Sequence, residues 1–72
     1  MVEVFKTNVK DCDHAAKLMA LIHKQHTDYI ANFDLEDCDK ILRIECHSSH
    51  IEVYFVIGLL EYFGFNADIL QA

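Results

Sequence analysis

Proline is absent from this chain, and glycine occurs only twice, at Gly58 and Gly64. Without these punctuating residues there is no flexible linker and no low-complexity stretch. Basic residues are scarce: six Lys and Arg stand against twelve Asp and Glu, a formal net charge of −6. That balance opposes nucleic acid, whose phosphates would be repelled, and anionic membrane surfaces; it suits cations or a basic partner. Long apolar runs are missing too. The longest free of charge, Val53 to Leu60, is far shorter than the ~20 residues a membrane span requires. Cysteine occurs three times, an odd number, with no charged-plus-apolar leader ahead of it, so a secreted disulfide scaffold is not expected. The setting these absences describe is soluble, reducing and cytoplasmic. Catalytic signatures are lacking as well. No Ser-His-Asp order, glycine-rich phosphate loop or carboxylate pair stands out, and the single arginine, Arg43, lies in mid-strand where it cannot clamp a phosphate. The chain is not expected to be an enzyme.

What is present is a single domain with a core. The 72 residues leave no room for two domains, and their 53% hydrophobic fraction is high for that size, so a compact interior is expected rather than disorder. Val2 to Asn8 has strand character. Asp11 or Asp13 offers an N-cap for a helix whose apolar face is Ala15, Leu18, Met19 and Ile22, the i, i+3, i+4, i+7 spacing. Tyr29 to Glu36 alternates, with Ala31, Phe33 and Leu35 on one side. Lys40 to Cys46 alternates again, with Leu42, Ile44 and Cys46 inward and Arg43 and Glu45 outward. The polar turn Asp37-Cys38-Asp39 joins these two into a hairpin. Ser49 and Glu52 form a capping box that opens a second helix running to Phe63, closed by Gly64. Phe65 to Leu70 is a final short strand. The order β-α-β-β-α-β predicts an α+β, ferredoxin-like sandwich: a four-stranded antiparallel sheet with two helices on one face.

The hairpin Asn32-Phe33-Asp34-Leu35-Glu36 with Ile41-Leu42-Arg43-Ile44-Glu45, and the helix close Glu61-Tyr62-Phe63-Gly64-Phe65, resemble the heavy-metal-associated domain, the small copper-chaperone fold. The resemblance spans nearly the whole chain. It implies a metal-handling loop between first strand and first helix, where that family carries Met-x-Cys-x-x-Cys. This chain departs from the motif. Aligned on the helix face, Val9 stands at the Met, Asp11 at the first Cys and His14 at the second, with Cys12 between them. Aligned on Cys12, Ala15 takes the second Cys position and the helix face is displaced by one step. The helix register is preferred, because burying the wrong face forfeits ~1.5–3 kcal/mol per side chain. That register turns Lys6 inward in the strand; a loop one residue longer satisfies both elements.

Three surfaces are therefore candidates for function. Asp11, Cys12 and His14 make a mixed carboxylate, thiolate and imidazole set, harder than two thiolates, suited to Zn(II), or to Cu(II) or Ni(II). By the resemblance, Phe65 would screen such a site and the metal would pass by ligand exchange to a partner protein. The bland alternative is that Asp11 only caps the helix and His14 is an exposed first-turn residue. A second cluster, His23, His26, Cys46, His47 and His50, is gathered by the topology at the opposite pole, with His23 and His26 spaced to chelate on one helix turn; against it, histidines near a helix C-terminus simply suit its dipole. The third is the second helix, apolar almost all round. With Val53, Val56, Ile57 and Leu60 on the core, Ile51, Phe55, Gly58 and Tyr62 form another stripe, and Tyr54 and Leu59 widen it. Such a helix is buried on more than one side, which predicts a partner, most simply a second copy of the chain. The two functional expectations are thus a metal-binding and transfer module, or a metal-free interaction or homodimerisation module.

Overall fold

Alternating side chains set the sheet. In the computed structural model, which describes residues 1–48 and 50–70, strands β1 (Val2–Thr7), β2 (Tyr29–Asp34), β3 (Ile41–Cys46) and β4 (Ala67–Ile69) are interleaved with helices α1 (Cys12–Gln25) and α2 (Val53–Tyr62). The strands form one sheet in the order β2-β3-β1-β4, every neighbour antiparallel. This is the expected ferredoxin-like α+β architecture: each helix carries the chain past one intervening strand before it rejoins the sheet. Leu42, Ile44 and Cys46 of β3 are fully buried, as alternation predicts, and Phe5, Ala31, Leu18, Ile22, Val56 and Leu60 close the core from the other elements.

The joint between β1 and α1 satisfies both registers. Phe5 and Thr7 face the core while Lys6 is exposed, Val9 is wholly buried beyond the strand, and α1 buries Ala15, Leu18 and Ile22. Thr7 is a polar residue in an apolar place, and its hydroxyl is used twice. It donates to the Lys40 carbonyl at 2.6 Å and accepts from the Val9 N–H at 3.2 Å. A buried hydroxyl left unpaired would cost roughly 1–3 kcal/mol.

The start of α2 differs from the sequence expectation. The helix begins at Val53, with Glu52 at the N-cap position and making no side-chain cap. The capping box puts Glu52 three residues inside the helix instead; its other member, Ser49, lies outside the described residues. Ile51 explains the later start. It is only 5% exposed, an anchor sunk into the core just ahead of the helix. The cap is supplied from elsewhere: the Tyr29 hydroxyl accepts the Glu52 N–H at 2.7 Å, satisfying one of the donors a helix start leaves orphaned. The other end closes as expected. Gly64 takes φ +86°, its N–H reaches the Glu61 carbonyl at 2.9 Å, and the Phe65 N–H reaches Leu60 at 2.9 Å. Paired bonds of this kind define the Schellman close, which needs a left-handed residue that glycine adopts without strain. The last strand is shorter than Phe65–Leu70 because Phe65 is spent on that close.

Candidate functional site

Asp11 is the helix cap. Its Oδ1 accepts from the backbone N–H groups of Asp13 (2.7 Å) and His14 (3.4 Å), so the carboxylate points back into the first turn of α1. The helix already begins at Cys12. Positions two apart on a helix are about 200° apart around its axis and do not face one another. Cys12 and His14 consequently part. Cys12 lines an open groove of about 360 Å³ between α1 and β2, with Ala15, Met19, Phe33 and Leu35. His14 lines a different one with Lys17, Phe63 and Phe65, its ring 5.4 Å from the Phe65 ring. Phe65, the aromatic after Gly64, lies against the His14 imidazole in the first turn of α1 and lines that groove rather than the one that holds Cys12. Spacing in the sequence could not show this, because the same residues in an extended loop would converge.

The residues of the histidine-rich pole are likewise spent on other work. The His23 Nε2 accepts the Ala31 N–H at 3.1 Å. The His26 ring stacks on Tyr29 at 4.3 Å and meets Phe55 edge-on at 4.7 Å. His50 lies 3.2 Å from a Glu52 carboxylate oxygen, and His47 is exposed. Cys46 is completely buried, and its thiol donates to Asp28 at 3.3 Å. Among the described residues, only Asp37, Cys38 and Asp39 bring three donor atoms within 4.8 Å of one another. That hairpin tip also has other obligations. Asp37 accepts the Asp39 N–H at 2.8 Å, and Asp39 lies 3.7 Å from the Lys6 ammonium, which opposes a second cation nearby.

Asp28 carries a clear electrostatic perturbation. The Ser48 hydroxyl, and after it the Cys46 thiol, donate to its Oδ2 and hold its carboxyl below the ordinary 3.8. Bonds to the charged form favour it. A carboxyl whose folded pKa is depressed stabilises the fold at pH values above its unfolded pKa, and the contribution disappears as pH drops through the folded pKa. Asp28→Asn is therefore expected to lower stability at neutral pH and to converge with the native protein only as the pH falls through the depressed folded pKa, below 3.8. Urea midpoints measured across that range check it.

The outward face of α2 is the remaining candidate. Val56 and Leu60 are wholly buried and fix its core side; Val53, Phe55, Ile57 and Leu59 are half-buried flanks. Two positions on from Val56 and Leu60, Gly58 and Tyr62 point away from the core, with Tyr54 one turn before them. Tyr54 is 88% exposed and Tyr62 83%. The solvent stripe is thus Tyr54-Gly58-Tyr62, rotated from the expected Ile51-Phe55-Gly58-Tyr62. Ile51 belongs to the core and Phe55 is braced against His26. The signal for Tyr54 was in the sequence: the residue lies four before Gly58 and eight before Tyr62, opposite the buried pair. No helix among the described residues is long and apolar enough to cross a membrane. No family model matches the chain, and no curated protein matches it.

Proposed function

We propose that this chain is a protein-interaction module that associates with a second copy of itself through the outer face of α2. The observation that carries the reading is the pair of nearly bare tyrosines flanking an exposed glycine, Tyr54-Gly58-Tyr62. A two-fold interface must be self-complementary. This stripe is symmetric about Gly58, so two antiparallel copies crossing there set Tyr54 of one near Tyr62 of the other. A Cβ built on Gly58 meets nothing within 4 Å, so the surface is open for a second backbone. Tyrosine is suited to such a position: a large apolar ring with a polar tip that tolerates both the wet and the buried state. Only Glu52 and Glu61 bring charge to this helix, and both copies carry net −6, so added salt screens their repulsion and tightens the pair.

Sedimentation across a concentration series tests this. The expected result is a mass that rises toward two copies, more readily at high salt, and that stays at one copy in Tyr54→Glu/Tyr62→Glu. A single-copy mass throughout overturns it. Association only with an added basic protein, weakened by salt, points to a cationic partner instead.

Metal transfer through the first loop has less support from the geometry. Asp11 would have to surrender its cap, and Cys12 and His14 would have to leave opposite sides of the helix. Titration with Zn(II), Cu(I) and Ni(II) decides the matter. Stoichiometric capture abolished by Cys12→Ser/His14→Ala restores that reading; the expected result is none that depends on both residues.

A further inference from the structure

β2 lies at the end of the strand order, so among the described residues one of its edges has no strand beside it. Antiparallel pairing alternates, each residue turning its backbone N–H and C=O either to its partner or away. The parity here is fixed by three bonds. The Cys46 N–H donates to the Met1 carbonyl on the β1 side, so Tyr29, paired with Cys46, faces the open edge; Ala31 and Phe33 follow. Two of these outward donors are already covered by α1 and its C-cap. The Tyr29 N–H goes to the His26 carbonyl at 3.1 Å, and the Ala31 N–H to His23 Nε2 at 3.1 Å. The cover stops there. At Phe33 the α1 side becomes the groove lined by Cys12, Ala15, Met19 and Leu35, apolar on its walls, with Asp34 and Glu36 at its rim.

We infer that this half-covered edge is a strand-addition site for an extended, basic segment of another protein. A segment laid along Phe33 exchanges main-chain bonds with its outward N–H and C=O. Its side chains then alternate. One set enters the groove over Met19, Phe33 and Leu35. The other set falls on the open face of the sheet beside Asp34, where a Lys or Arg is held and an acid is repelled. Glu36 adds a second carboxylate at the groove mouth. The occupant is therefore an alternating apolar and basic strand. A second copy's β2 carries Asn32 and Asp34 at those outward places, and brings a net charge of −6, so like charge disfavours edge-to-edge pairing of two copies. The opposite edge strand, β4, is only 3 residues long and offers little backbone to pair.

The probe is a short, end-capped peptide of alternating valine and lysine, followed by amide-detected NMR. The site requires slowed exchange at the Phe33 amide and shifts confined to β2, Met19 and Leu35. Two controls separate strand pairing from mere charge attraction. The same peptide N-methylated at alternate residues keeps every charge but loses its inward donors, and is expected to bind at least about fivefold more weakly, the worth of one net main-chain bond. Asp34→Lys/Glu36→Lys, two exposed substitutions that leave the core alone, reverses the preference to alternating valine and glutamate. Equal binding of the N-methylated peptide overturns the inference, as does a response centred on α2. Protection of Phe33 that grows with protein concentration without peptide also overturns it, naming a second copy as the occupant.

Discussion

Phe5→Ala is expected to leave most molecules unfolded in mild denaturant and many unfolded at physiological temperature. Phe5 is 0% exposed and sits where the sheet is most constrained, paired with Leu42 of β3 on one side and Ile69 of β4 on the other. Truncating a buried phenylalanine costs about 3–5 kcal/mol, through lost transfer energy and the cavity left behind. A domain of 72 residues has about 4–11 kcal/mol of stability in total, so this one change consumes about a quarter of it or more. Little can move in to fill the space, since β1 is an interior strand held by ladders on both edges. Urea unfolding followed by far-UV circular dichroism measures the loss. Val2→Ala, on the same strand with Val2 47% exposed, is the control and is expected to shift stability by no more than about 0.5 kcal/mol.

Gly58→Leu is expected to act in opposite directions on fold and assembly. Glycine inside a helix costs about 0.5–1 kcal/mol relative to a good helix former, because the unfolded chain is so free there. Gly58 is exposed and its missing Cβ has no neighbour within 4 Å, so a leucine can turn its branch to solvent and should raise the stability of the single copy by about that amount. At a two-fold crossing the same side chain appears twice at the point of closest approach. In the proposed dimer two leucines there would separate the helices and lift both tyrosine pairs out of contact. Self-association should weaken by about 100-fold, equivalent to ~2.7 kcal/mol. Thermal melts and sedimentation on the same sample read both effects. A variant that is more stable and equally associated removes Gly58 from the interface; one that is less stable removes the premise that its surface is open.

The sheet and the helix faces were legible because their information is periodic. Leu42, Ile44 and Cys46 recur every second residue, and Ala15, Leu18 and Ile22 every three to four, and burial follows that pattern directly. The start of α2 was not legible, because its cap comes from Tyr29, 23 residues earlier in the chain. A local motif search sees Ser49 and Glu52 but cannot see a hydroxyl delivered by tertiary structure. The same limit applied at the first loop. The donor types of Asp11, Cys12 and His14 are plain in the sequence; their divergence depends on whether the helix starts before or after Cys12, a difference of one residue. His23 shows the converse. Its chemistry suggested a ligand, whereas its partner is a backbone N–H of β2 that only the packing of α1 on the sheet's edge brings near.

The three thiols occupy very different environments, and that gives the chain an internal clock. Cys12 and Cys38 are exposed, whereas Cys46 is sealed in the core against Asp28. An alkylating reagent should consume the first two at once and reach the third only when β3 peels from the sheet. The rate of that last modification then reports how often the end of β3 opens, read by mass spectrometry without any added label.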